Sequence, residues 1–189
     1  MGMKRHTRMA PAGIQRQLQR MFIPAHCMYG DQLNGQPTEN LSGINVFWSF
    51  AVGYRMEVLL VIPVPLDWIV GTVVWAYPVF STDVNLFAQV RWGLEYTPHV
   101  KATSIAAVPT VIEGTFDADG TGTVIPPRSQ WLTLKGDLLI GGEPAFQRND
   151  FTELVHIACK FYRDGLSVLD NHPGAARLYG LAVVYEAFI

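Results

Sequence analysis

The chain has 189 residues, of which 16% are charged and 49% hydrophobic, and its formal net charge is -2. This length fits one domain, and the charge excludes a protein that grips polyanions with its whole surface. The two cysteines, Cys27 and Cys159, exclude a disulfide framework, and the apolar excess points to surface covered by other subunits.

The first 40 residues stand apart. Lys4, Arg5, Arg8, Arg16 and Arg20 precede the first acidic residue, Asp31, and Pro11, Gly13, Pro24, Gly30, Gly35 and Pro37 interrupt any long element. Ile14, Leu18, Met21 and Phe22 fall on one face at helical spacing, which predicts a short amphipathic helix over 14–22. Residues 1–43 are expected to form an extended basic arm that becomes ordered on a neighbouring subunit. The basic start runs into Ala-Pro-Ala-Gly-Ile-Gln-Arg-Gln and not into an apolar stretch, so no leader peptide is expected. Five cations without interleaved aromatics are no signature of specific nucleic-acid binding.

From Asn45 onward the pattern has period two. Strands are predicted at 44–50, 54–62 and 72–80, where β-branched and aromatic residues concentrate between Val52-Gly53 and Pro63-Val64-Pro65 turns. The apolar run 58–65 is broken by Pro63 and Pro65 and is too short to cross a bilayer, so no membrane partner is expected. In 86–96, Leu86, Ala88, Val90, Trp92, Leu94 and Tyr96 alternate with Gln89, Arg91, Gly93 and Glu95, the mark of a half-buried antiparallel strand. Further strands are predicted at 105–116 and 131–139, with turns at Asp119-Gly120 and Pro126-Pro127 and a brief helix near 148–153.

In 154–162, Val155, Ile157, Cys159 and Phe161 face one way, and His156, Lys160 and Tyr162 the other. In 179–185, Tyr179, Leu181, Val183 and Tyr185 share a face, with Gly180, Ala182 and Val184 opposite. That strand is apolar on both sides, as a central strand is. About eight strands without helical crossovers predict an all-β antiparallel sandwich of jelly-roll type over 44–189.

Catalytic constellations are weak. Cys159 and His156 lie on opposite faces of their strand, and His26 beside Cys27 has no orienting carboxylate nearby in sequence. His6, His26, His99, His156 and His172 make no His-x-x-x-His pair, and Asp117 and Asp119 lack the downstream acids of a calcium loop. Glu57, Glu95 and Glu113 sit on predicted strands and read as the polar sides of those strands. Gly120-Thr-Gly122 opens no helix and is no phosphate loop. No catalytic residue, metal or cofactor is therefore assigned. Of Trp48, Trp68, Trp75, Trp92 and Trp131, Trp75 and Trp92 are expected in the core, and Trp68, in the Pro65-Leu66-Asp67-Trp68 turn, exposed or at an interface.

One resemblance is carried by ordered segments. These are Val46-Phe47-Trp48-Ser49-Phe50, Ile62-Pro63-Val64-Pro65-Leu66-Asp67-Trp68, Val73-Val74-Trp75 and Val90-Arg91-Trp92-Gly93-Leu94-Glu95-Tyr96. They are followed by Lys160-Phe161-Tyr162-Arg163-Asp164 and, after a loop, Leu178-Tyr179-Gly180-Leu181-Ala182-Val183-Val184-Tyr185. This order, from residue 44 to the C-terminus, resembles the small jelly-roll virion proteins of tailed bacteriophages, the capsid cement (decoration) and head-fibre type, particularly those of cyanophages. The resemblance implies a homotrimer made in the host cytoplasm and placed on the outer surface of an icosahedral head, where it ties major capsid proteins together.

On that expectation Arg16, Arg20, Met21 and Phe22 would meet the capsid, and Trp68 a neighbouring subunit. The alternative is a receptor- or glycan-binding module of a fibre or spike, with exposed aromatics beside paired polar groups in 119–123 and 164–172. A glycan-cleaving enzyme would need two carboxylates, such as Glu57 and Glu95, facing across a groove.

Overall fold

The computed structural model describes residues 15–31, 37–43, 45–63, 65, 67–69, 72, 74–99, 109–118, 132–134, 139–140, 143–144 and 156–188. Its strands in chain order are β1 (Arg16–Pro24), β2 (Tyr29–Gly30), β3 (Thr38–Ser42), β4 (Asn45–Phe50), β5 (Arg55–Pro63), β6 (Val74–Thr82) and β7 (Gln89–His99). They continue with β8 (Thr110–Asp117), β9 (Leu132–Leu134), β10 (Leu139–Ile140), β11 (Glu143–Pro144), β12 (His156–Asp164) and β13 (Ala176–Phe188). The described helical content is one 3-10 turn, Ala25–Cys27.

The strands form two antiparallel sheets. Sheet A runs β3-β4-β13-β6-β9 with β1 also against β13, sheet B runs β2-β5-β12-β7-β8, and β10 and β11 pair separately. Counting β4, β5, β6, β7, β8, β9, β12 and β13 as the first to eighth strands of the sandwich, sheet A reads 1-8-3-6 and sheet B 2-7-4-5. Sequence neighbours thus alternate between sheets except for the β7–β8 hairpin in sheet B, as when a long antiparallel ribbon is wound once around a barrel axis. This is jelly-roll winding, and the predicted all-β sandwich is the fold observed.

The alternating patterns decide which face each strand buries. Val58, Leu60 and Ile62 of β5, Val90, Trp92, Leu94 and Tyr96 of β7, and Ile157, Cys159 and Phe161 of β12 are all buried, while Leu59 and Val61 lie exposed between them. Trp92 sits at the centre of the core. Its indole meets Phe50 and Phe80 edge-on at 5.1 and 5.5 Å between centroids and stacks on Phe161 at 5.1 Å. Tyr77 and Phe116 close the same layer in a T-shaped contact at 5.9 Å. Trp75 is half-buried, and Trp131 lies outside the described residues. β13 is buried on both sides, as its sequence requires. It has β6 along one edge and β4 followed by β1 along the other.

Three expectations are corrected. The helix over 14–22 is a strand: β1 pairs with β13 along its whole length, from Arg16 opposite Phe188 to Pro24 opposite Gly180. Helical spacing of four apolar residues loses to the unpaired hydrogen-bonding edge that β13 presents beyond β4. Residues 16–24, 29–30 and 38–42 are likewise no arm, because they are strands β1, β2 and β3 of the two sheets. Trp68 is not exposed in the single chain. It is 6% exposed and bridges to Ala187, while the Ile69 N–H donates to the Glu186 carbonyl at 2.8 Å. The turn is strapped onto the end of β13, where burying the Trp68 indole outweighs the turn's local polarity.

Other predicted strands shift by a few residues. The strand expected at 105–116 is β8 from Thr110, and 131–139 resolves into β9 and the start of β10. Residues 1–14, 101–108, 119–131 and 145–155, which include the expected helix at 148–153 and the loop at 119–123, lie outside the described residues.

Candidate functional site

Three surfaces carry the groups that sequence reasoning singled out. The first is the outer face of sheet B. Register places Glu57 opposite Tyr162, Tyr162 opposite Gly93 and Gly93 opposite Glu113, in one row across β5, β12, β7 and β8. The next row holds Lys160 opposite Glu95. Glu57, Glu95 and Glu113 therefore do share a face, but each is held by a cation or a hydroxyl and not left facing a cleft. Arg55 Nε donates to Glu57 Oε1 at 2.8 Å, and its Nη2 to Glu95 Oε1. Lys160 Nζ meets Glu57 Oε2 at 3.2 Å and Asp31 Oδ2 at 3.3 Å. Arg91 Nη2 donates to Glu113 Oε2 at 2.8 Å, and the Tyr162 hydroxyl to Glu113 Oε1 at 2.7 Å.

Tyr162 reaches Glu113 by lying across Gly93. A Cβ at Gly93 would overlap the Tyr162 ring, so only glycine admits that path. The Arg55 guanidinium covers the other side of the ring at 3.8 Å from its centroid, a cation–π contact. Charge follows from this packing. Burial opposes ionisation of Glu113, yet the Tyr162 and Arg91 bonds win and hold its carboxyl below the ordinary range. Burial and the Glu113 bond together push the Tyr162 phenol up. Lys160 and Arg55 are desolvated, which disfavours their charge, but their carboxylate partners raise both nonetheless. A glycosidase acid requires a carboxyl pushed upward, and Glu113 moves the other way.

The second surface is β1. Leu18 and Phe22 are 59% and 50% exposed, and Arg16 and Arg20 alternate with them on the same outward side. Arg16 is tethered only loosely, with Nη1 3.8 Å from Glu186 Oε2. Phe22 lies over Gly180 of β13. Met21 points the other way and packs against the core, so it is not part of the outward row. Cys27 is exposed and Cys159 buried, both as free thiols, and burial pushes the Cys159 thiol up.

The third surface is the end of the sandwich where the β4–β5 turn, the β6–β7 loop and the β12–β13 loop gather. Beneath it lies a pair that sequence reasoning missed. Arg163 and Asp170 side chains are both 0% exposed. Arg163 Nε and Nη2 grip the two Asp170 oxygens at 2.8 and 2.7 Å, and Nη1 and Nη2 also donate to the carbonyls of Phe50, Gly174 and His172 at 2.8–3.0 Å. All five guanidinium N–H groups thus have acceptors, the condition under which a buried cation is tolerated. The available signal was phase. Arg163 continues the inward series Ile157, Cys159, Phe161, and an arginine there needs a buried acid.

No known protein family matches the chain, and no curated protein is similar to it. Reading its function therefore rests on the surfaces themselves. Among the described residues no group of three metal-ligating side chains converges, and no helix is long and apolar enough to cross a membrane. The described tryptophans form no stacking platform: Trp48, Trp68 and Trp92 are buried, and Trp48 spends its N–H on the Ala25 carbonyl at 2.9 Å. The 164–172 loop, expected to carry exposed aromatics on the glycan-binding alternative, exposes Leu166, Val168 and Leu169 instead.

Proposed function

We propose that the chain is a non-catalytic structural protein of the virion, a capsid cement protein that sits on the outer surface of a head as a homotrimer and ties major capsid proteins together. One observation supports it above the others: Arg16, Leu18, Arg20 and Phe22 stand exposed in a single row on a strand that is itself hydrogen-bonded along its whole length to the central strand of sheet A. A row of alternating cations and apolar groups on a rigid edge suits an acidic, partly apolar seat on a neighbouring protein, and rigidity lowers the ordering cost of docking there. Among the described residues β1 pairs on one side only, and an edge strand offers backbone groups for pairing. Each site adds modestly, and symmetric repetition over a shell multiplies the effect.

Binding to heads assembled without this chain tests the proposal. Wild-type protein is expected to co-sediment with them, and the Arg16→Glu, Arg20→Glu, Phe22→Ser triple variant to lose at least ~10-fold in affinity with its melting temperature nearly unchanged. Failure of the wild type to bind heads would remove the cement reading. Full binding by the triple variant would remove β1 as the contact.

A further inference from the structure

We infer that the loop end of the sandwich is a second interaction surface, through which one copy of the chain meets another. Three loops build it. The β4–β5 turn presents Val52 and Tyr54, 42% and 62% exposed; the β6–β7 loop presents Leu86 and Phe87, 47% and 71%; the β12–β13 loop presents Leu166 and Val168, 70% and 93%. With Val84 and Leu169, 41% and 48% exposed, eight exposed large apolar side chains among the described residues come from these three loops.

These loops are held side by side by specific bonds. The Gly165 N–H donates to the Tyr54 carbonyl at 3.0 Å, and a Cβ at Gly165 would come within 2.8 Å of that oxygen, so glycine is what lets the two loops touch. The Asp83 N–H donates to the Ala175 carbonyl at 3.1 Å, and the Gln89 N–H to Asn171 Oδ1 at 2.7 Å. Underneath, Arg163 ties Asp170, His172 and Gly174 of one loop to Phe50 at the start of another. The apolar tips are therefore fixed before any partner arrives, which removes most of the entropy cost of ordering them on binding.

Apolarity and charge select the occupant. Side chains 42–93% exposed on three adjoining loops leave clustered apolar surface in water, the kind of surface that marks an interaction site. Within the three loops, among the described residues, Asp83 is the sole exposed charge, since Asp170 is buried in its pair. A membrane surface or a nucleic acid is drawn by lysine and arginine, and these loops have none. A like end of a second copy brings the same apolar area and only one carboxylate to the contact, so it covers the surface without an unmatched charge. In a homotrimer the contact is heterologous, one loop of each end meeting a different loop of the next copy, and the ring closes about a three-fold axis.

This inference supplies the subunit contact for the homotrimer reading but does not need head binding to hold. β13 runs from this end at Ala176 to the far end at Phe188, opposite Arg16, roughly 40 Å at ~3.3 Å per residue. The two surfaces can therefore be broken separately.

The test is sedimentation velocity on the full chain, with Val168→Asp, Phe87→Ser as the loop variant and Arg16→Glu, Arg20→Glu as the control. Wild type and control are expected to sediment as an oligomer, and the loop variant as a 21.0 kDa monomer with an unchanged melting temperature. A monomeric wild type at its highest soluble concentration would overturn the inference, as would a loop variant with undiminished association. Capture of a monomeric wild type by neutral phosphatidylcholine vesicles would also overturn it, and would assign the loop end to a lipid surface.

Discussion

Arg163 and Arg55 use the same chemistry in opposite surroundings. Arg163 is wholly buried at the loop end, grips one carboxylate with two nitrogens and gives its other donors to three backbone carbonyls. Arg55, with its side chain 36% exposed on sheet B, is shared between Glu57 and Glu95 and lies over Tyr162. Burial multiplies what is lost when a partner goes missing, because the remaining charge has no water to turn to. Partial exposure lets water and salt replace the partner. The first pair thus fixes a conformation, and the second decorates one that strand pairing already holds.

The sharpest way to break this contrast is Arg163→Ala. Leaving Asp170 buried and alone is expected to cost about 3–5 kcal/mol, which lowers the melting temperature by about 10 °C for a chain of this size. The double variant Arg163→Ala, Asp170→Ala is expected to recover part of that loss, measured by denaturant unfolding as a double-mutant cycle. Additive losses would mean that the pair does not act as a unit.

A smaller effect is expected from Arg55→Ala: about 1 kcal/mol or less, shrinking further when salt is raised to ~0.5 M. Urea melts at two salt concentrations measure it. A loss as large as that at Arg163 would erase the distinction between the two sites.

The smallest effect is a change in pH profile. Because the Glu113 carboxyl is held below its ordinary value, its ionised form stabilises the fold above the unfolded carboxylate value of about 4.3, and that contribution is lost as pH falls through the lower folded value. Glu113→Gln is expected to lower stability modestly at neutral pH, where the ionised carboxylate contributes, and to leave it nearly unchanged near pH 3, so that the acid limb flattens. Thermal melts between neutral pH and about pH 3 follow it. An acid limb of the same steepness in the variant would place the titrating group elsewhere.

Much of the sandwich could be read in the chain, and the reasons are local. β5, β7 and β12 announce themselves because a strand with one buried face must alternate, and β13 because a strand covered on both sides cannot. The sites were less legible. Glu57, Glu95 and Glu113 were visible as acids on strands, but their neutralisation by Arg55, Lys160 and Arg91 depends on which strands are neighbours, and β5, β12 and β7 are separated by tens of residues. Arg163 stood on an inward phase, yet its acid lies in the following loop and its other acceptors are backbone carbonyls, which carry no sequence signal.

By itself, then, the sequence determined the strand periodicity, the apolar core residues such as Trp92 and Phe161, and the all-β class, since side-chain alternation is a property of one strand. Tertiary structure alone decided that 16–24 is a strand and not a helix, that Trp68 is covered, and that three distant loops form one apolar end. Those outcomes depend on free hydrogen-bonding edges and on packing between segments far apart in the chain, and no local pattern encodes which segments will meet.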